Sequence, residues 1–280
     1  MGTEFIRFPA PGPPSPQSSV LGPQSSPSAA VELDGVRKVY RTRGAEIVAL
    51  EDVALTVTRG EFVAVVGRSG CGKTTLLKVV AGLLPATAGA VAVEGQPVRG
   101  PLRNVGLVFQ SPVLLRWRTV LRNVLLPAEI LGLDRERARA QALDLIKLVG
   151  LEGFETKYPR ELSGGMQQRV SLCRALIHNP PVLLMDEPFG ALDALTREEM
   201  NLELLRIWQE QAKTTVLITH SISEAIFLGD RVAVMTPRPG RIRDIVPVPL
   251  PRPRTPAMKL APEFNALVRR ISELIGIKYT

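Results

Sequence analysis

Between a short apolar run, Glu61-Phe-Val-Ala-Val-Val-Gly67, and an amphipathic run starting at Thr74, the chain carries Gly67-Arg-Ser-Gly-Cys-Gly-Lys73-Thr74-Thr75. This fits G-x(4)-G-K-[ST], placed after a predicted strand and before a predicted helix, and few folds accommodate that order. Glycines at these spacings let successive backbone N–H groups converge on phosphate oxygens, and the helix N-terminus adds positive potential. Lys73 is placed to reach β- and γ-phosphates, and the Thr74 hydroxyl to hold Mg²⁺. Gly67, Arg68, Ser69, Gly70, Cys71, Gly72, Lys73, Thr74 and Thr75 are therefore candidate nucleotide-binding residues. Cys71 has two readings: a thiolate favoured by the helix terminus, or a small filler whose backbone N–H alone matters. The second is preferred.

The surrounding pattern defines an α/β fold. VELDGVRKVY and EIVALEDVALTV alternate as antiparallel strands do, VAVEGQPV reads as a hairpin and NVGLVFQ as a strand. Strand signals stop between Pro112 and Leu162, where VLRNVLLPAEILG and the following segment (apolar set Ala138, Leu143, Ile146, Leu148) read as an inserted helical subdomain. Helices and strands then alternate as far as RVAVMT, which implies a mainly parallel, doubly wound sheet with right-handed crossovers. Residues 1–30 hold 7 Pro and 6 Ser without periodicity and are expected to be a disordered tail. Residues 31–242 form the main domain, and 243–280 a Pro-rich connector with a last helix.

Two further segments carry chemistry. Val182-Leu-Leu-Met-Asp186-Glu187 is an apolar strand ending in two carboxylates, delivered to the edge where open α/β sheets bind ligands. Asp186 is expected to hold Mg²⁺ through water and Glu187 to polarise the attacking water. Leu162-Ser163-Gly164-Gly165-Met166-Gln167-Gln168-Arg169 offers a second phosphate cradle at a helix start. One chain seldom needs two cradles for one triphosphate, so this one is expected to serve a partner's nucleotide.

With these motifs in this order, the chain resembles the ATP-binding subunit of an ABC transporter over roughly Val31 to Ile242, LSGGMQQR matching the family signature. The resemblance implies a P-loop NTPase core with an antiparallel β-subdomain, and two domains paired head to tail around two ATP molecules. It implies that Gln110 touches Mg²⁺ and senses the permease, and that Asp193 acts across the dimer. It further implies that His220 contacts the γ-phosphate and that Tyr40 stacks on adenine. Asp193 also reads as a helix N-cap, and His178 as structural. The flank Phe109–Val124 and the segment Thr236-Pro-Arg-Pro-Gly240-Arg-Ile narrow the resemblance to the nitrate/sulfonate/taurine importers. Arg116 and Arg118 flank Trp117 where many relatives have a proline-tryptophan pair. Alternatives are a non-transport ABC ATPase or an exporter subunit.

Charge and composition bound the partners. From Arg238 to Thr280 nine basic side chains face three acidic ones, a net of +6 within the chain's +8. The body is thus nearly neutral, and the basic end reads as a solvated surface or a patch near an anionic membrane rather than a nucleic-acid footprint. No apolar run approaches the roughly 18 residues a spanning helix needs, and the opening has no secretory pattern. Two cysteines exclude a disulfide scaffold. The resemblance implies a peripheral protein on the cytoplasmic face of the membrane. Its partners would be a second copy, permease subunits and, indirectly, a solute-binding protein.

Overall fold

The computed structural model describes residues 28–277 except 43, 191 and 212. The expected tail lies outside the described residues up to position 27, while Ala29 and Ala30 already belong to the first strand.

Two long strands, β1 (Ala29–Thr42) and β2 (Ala45–Thr58), pair antiparallel, and β4 (Ala88–Val93) with β5 (Gln96–Pro97) completes a four-stranded sheet in the order β2-β1-β4-β5. The second sheet takes β3 (Phe62–Val66), β6 (Val105–Val108), β7 (Val182–Asp186), β8 (Thr214–Ile218), β9 (Arg231–Met235) and β10 (Ile242–Pro247) in the order β10-β9-β3-β8-β7-β6. The five strands from β9 to β6 are parallel, and β10 joins the edge antiparallel. β3, β7 and β8 are buried at every residue. That explains their continuous apolar runs, since a parallel sheet is covered on both faces.

Period-two alternation divides the interior. Phe62, Ala64 and Val66 face one core with Leu183, Met185 and Leu217, while Val63 and Val65 face the other with Val182, Leu184 and Ile218. The first core packs on α5 (Gly164–Leu176), α6 (Ala194–Gln211), α7 (Ile222–Leu228) and α8 (Pro262–Ile275). The second encloses α1 (Lys73–Val80) between the large sheet and the antiparallel one. α1 is thus a buried helix fixed from both sides, and the loop before it inherits that rigidity.

The inserted segment holds α2 (Val120–Val124), α3 (Leu126–Leu131) and α4 (Arg135–Leu148). VLRNVLLPAEILG reads as one helix, but the chain breaks at Leu125 and Pro127 sits in the first turn of α3, where its missing N–H costs nothing. The face of α4 also differs from the sequence reading: Ala138, Ala142, Leu145 and Ile146 are buried, whereas Leu143 is exposed. The buried stripe follows i, i+4, i+7, i+8, and the small alanines let α4 approach closely.

β10 is an element the sequence reading missed. Its residues Ile-Arg-Asp-Ile-Val-Pro mix charge with proline, a composition only an edge strand tolerates. It runs across the 242/243 boundary and ties the C-terminal segment to the sheet. The basic end is correspondingly used inward. Arg252 pairs with Asp230 at 2.7 Å and lies 4.0 Å over the Trp208 ring. Buried Arg254 donates to the carbonyls of Ile226, Phe227 and Gly229, closing the end of α7, and burial draws its guanidinium down to about 10. Lys259 pairs with Glu198 and Arg270 with Asp244. These contacts replace the expected plain solvated face for much of the segment.

Candidate functional site

Strand order assembles the site. The neighbours β3, β8, β7 and β6 are parallel, so their carboxyl ends lie side by side. β3 leads into the Gly67–Thr75 loop, β8 into His220, β7 into Asp186 and Glu187, and β6 into Gln110. Residues far apart in the chain are thereby gathered at one sheet edge.

The loop wraps tightly over the start of α1. Gly72 is its N-cap at φ +110, and a Cβ there would lie 2.8 Å from the Ala49 carbonyl oxygen, so only glycine fits. The buried Lys73 ammonium donates to the carbonyls of Gly67 (2.8 Å) and Arg68 (3.2 Å), which holds the charge across the loop. Cys71 is buried, 1% exposed, in keeping with the filler reading.

A cavity of about 370 Å³ opens on this loop, lined by Tyr40, Ile47, Ala49, Ser69, Gly70, Gly72, Lys73, Thr74, Thr75, Gln110, Glu187 and Arg238. The Tyr40 hydroxyl lies 3.3 Å from Thr75 Oγ1, leaving the ring partly exposed beside Ile47. At the opposite side Glu187 is the hub. Gln110 Nε2 donates to its Oε2 at 3.1 Å, and His220 Nδ1 lies 3.3 Å from the same oxygen. Glu187 also adopts φ +47, the left-handed region that a non-glycine residue rarely takes, with its N–H fixed on the Ile218 carbonyl at 2.8 Å. The backbone is thus held in an unfavourable conformation that aims this carboxylate at the cavity.

Asp186, one residue earlier, is 3% exposed. Burial raises its carboxyl above the ordinary carboxylate range, against the pull of the Thr74 hydroxyl, while the neighbouring Glu187 charge pushes the same way as burial. Thr74 Oγ1, Asp186 and the Gln110 amide together make an oxygen donor set suited to a small hard cation.

Other expected site residues lie apart from this cavity. Ser163 caps α5, its Oγ accepting from the Met166 N–H at 3.2 Å, with Gly164 and Gly165 in the first turn. Gln167 donates to the Pro159 (3.0 Å) and Leu162 (3.3 Å) carbonyls and faces a different cavity of about 820 Å³, with Ser111, Pro112 and Arg116. Asp193 accepts from the Thr196 N–H at 3.0 Å as the cap of α6, and that bond holds its carboxyl below the usual range. Gly67, Arg68 and Cys71 belong to the loop but do not line its cavity. Arg68 instead donates to the carbonyls of Ile275 (3.3 Å) and Gly276 (3.2 Å) at the end of α8.

Two residues with no assigned role in the sequence reading stand out. Gln168, 3% exposed, donates from Nε2 to the Phe109 carbonyl at 2.8 Å, linking the Ser163 helix to the strand end before Gln110. Arg238 lines the loop cavity. Both sit inside segments whose pattern is visible, but their reach across the fold is not.

With this geometry in place, comparison with known proteins is decisive for the class. Residues 50–190 match the ABC transporter family. An aliphatic sulfonates import ATP-binding protein of Bacillus licheniformis is 45% identical over 222 residues, 79% of this chain and 85% of that protein. A taurine import ATP-binding protein of Rhizobium johnstonii is 50% identical over 199 residues, 71% of this chain and 76% of that protein. Among solved structures, a dimeric ATP-binding cassette in a post-hydrolysis state, bound to ADP and Pi, superimposes with a TM-score of 0.72. It is 35% identical and covers 78% of this chain and 98% of that one. The chain belongs to the ABC transporter family. It is an ATP-binding subunit whose ATP hydrolysis is coupled to transport. Among the described residues no helix is long and apolar enough to cross a membrane.

Proposed function

We propose that the protein is the energy-coupling ATPase of an importer for a small anion or organic solute of the sulfonate, taurine or nitrate type. It would work at the cytoplasmic face of the membrane, bound to permease subunits and served indirectly by a solute-binding protein. The observation that carries the ATPase chemistry is the single Glu187 oxygen shared by Gln110 and His220 beside the loop cavity. The names of the sulfonate and taurine relatives support import and the solute class.

In this reading the N–H groups of the Gly67–Thr75 loop and Lys73 hold the phosphates, and Tyr40 stacks on the base. Glu187 accepts a proton from the attacking water while His220 and Gln110 orient its carboxylate. Thr74, Asp186 and Gln110 are the residues that would hold Mg²⁺. Bound there, Mg²⁺ would supply positive charge to offset that of the phosphate oxygens. The protein's own contribution is positioning and preorganised charge rather than covalent chemistry.

The separation of Ser163–Gln167 and Asp193 from the cavity supports a second copy. The turn at the start of α5 is suited to a phosphate on another chain, and a solved relative is a dimer. Head-to-tail pairing then completes two sites at once.

The test is growth of a Lys73→Ala strain on an alkanesulfonate or taurine as sole sulfur source, against sulfate. Failure on the sulfonate with normal growth on sulfate is the expected result. Normal growth on both rejects non-redundant sulfonate import.

A further inference from the structure

The turn between β9 and β10 is wedged against the nucleotide loop. Thr236 N–H donates to the Arg241 carbonyl at 2.9 Å, and Arg241 N–H donates to Thr236 Oγ1 at 3.0 Å, closing the turn. Gly240 N–H donates to the Ala49 carbonyl and Glu51 N–H to the Gly240 carbonyl, both at 3.0 Å, while Arg241 pairs with Glu51 at 2.6 Å. A Cβ on Gly240 would lie 2.1 Å from the Cys71 carbonyl oxygen, so the turn and the loop are in direct backbone contact. Pro237 and Pro239 on either side of Arg238 further restrict its backbone.

From this fixed turn Arg238 reaches over the loop. Its Nη2 donates to the Gly70 carbonyl at 3.1 Å, and the exposed side chain lines the cavity with Tyr40, Ser69 and Lys73. Arg241 has Glu51 as a partner, but among the described residues no carboxylate forms an ion pair with Arg238. A guanidinium carries five N–H donors, so the bond to Gly70 leaves others available. The turn arrives from the Ala49 side, where Ile47 and Tyr40 stand, and not from the Gln110–Glu187 side.

We infer that Arg238 is a nucleotide-binding residue, pairing with the α- and β-phosphate oxygens from the base side of the cavity. Lys73 lines the same cavity, so that the phosphate chain is held by two cations. The inference rests on the nucleotide reading of this cavity and adds a residue to it. The Thr-Pro-Arg-Pro-Gly segment thereby gains a physical purpose: a rigid, loop-anchored arm that presents charge without conformational search.

The experiment is calorimetric titration of the full chain with Mg·ADP, comparing wild type with Arg238→Ala, Arg238→Gln and Arg238→Lys, each checked for an unchanged melting temperature. Loss of one charge-assisted bond to phosphate weakens binding about tenfold. The expected order is wild type and Lys tight, Ala and Gln weak. Gln keeps a donor for the Gly70 carbonyl but carries no charge, so it separates phosphate pairing from mere bracing of the loop. Arg238→Ala binding within twofold of wild type overturns the inference, and so does recovery by Gln. Lys73→Ala serves as the control for the cavity itself. Loss of binding there with none in Arg238→Ala sinks the Arg238 role alone, whereas retained binding in Lys73→Ala sinks the nucleotide reading.

Discussion

Replacing Gly240 by alanine tests how firmly the Gly67–Thr75 loop is held from outside. The added Cβ would stand 2.1 Å from the Cys71 carbonyl oxygen, 2.8 Å from Met235 Cε and 3.2 Å from the Ala49 carbonyl oxygen. The Met235 methyl can swing aside, but the Cys71 carbonyl belongs to a loop fixed by α1. The turn must therefore lift by about 1 Å to restore ordinary contact. That shift breaks the pair of 3.0 Å bonds between Gly240 and the Ala49–Glu51 segment. Overpacking of this kind costs about 1–3 kcal/mol, and each of the two hydrogen bonds about 1 kcal/mol, so the sum is roughly 3–5 kcal/mol. For a domain of this size the melting temperature should fall by about 5–10 °C, read by thermal denaturation. Gly100 has nothing within 4 Å of where an added methyl would sit and takes no left-handed conformation, so Gly100→Ala is the matched control and should leave melting unchanged. A Gly240→Ala protein melting within about 1 °C of wild type would refute the rigid contact between turn and loop.

Three further outcomes follow from individual groups. Burial raises the Asp186 carboxyl above its ordinary value of 3.8, so the native state keeps this proton to higher pH than the unfolded chain. The nucleotide-free protein therefore loses stability as pH rises through that window. Asp186→Asn should melt no lower than wild type at pH 7 while Mg²⁺-dependent hydrolysis drops roughly 100-fold, and a lower melting point would contradict the burial argument. Arg68→Ala removes two hydrogen bonds to the last carbonyls of α8, and amide exchange in that helix should quicken roughly tenfold by mass spectrometry; equal rates would show the contact to be idle. Cys71 and Cys173 are both buried, and burial pushes the Cys173 thiol far up, so maleimide should label neither in the native chain. Labelling of Cys71 before unfolding would restore the reactive-thiol reading.

The candidate site is legible in the sequence where a residue's job depends on its immediate neighbours in the chain. A glycine loop between strand and helix dictates its own geometry, and an apolar strand ending in Asp186-Glu187 announces where its carboxylates emerge. Gln110, Asp193 and His220 are different. Each is an unremarkable polar residue after a strand or before a helix, visible only through resemblance to a family. The strand order β3-β8-β7-β6, which sets His220 and Gln110 on one Glu187 oxygen, is a property of topology and leaves no local trace.

The same distinction explains what escaped. β10 pairs at an edge, where packing demands little of the sequence, so charge and proline obscure the alternation. In α4 the buried stripe is built on Ala138 and Ala142, and small side chains carry weak hydrophobic signal even when fully enclosed, while the larger Leu143 points outward. The basic C-terminal segment misleads for a related reason: composition counts charges but not their partners. Arg252 and Arg254 look like surface cations in a Pro-rich linker, yet one is engaged by Asp230 and Trp208 and the other by the final carbonyls of α7. Arg238 has the same composition around it but no carboxylate partner among the described residues, and its cavity is lined by the Gly67–Thr75 loop. Within one basic segment, then, Arg238 combines the lack of a carboxylate partner with a place in the lining of this cavity, and that position calls for an anionic ligand.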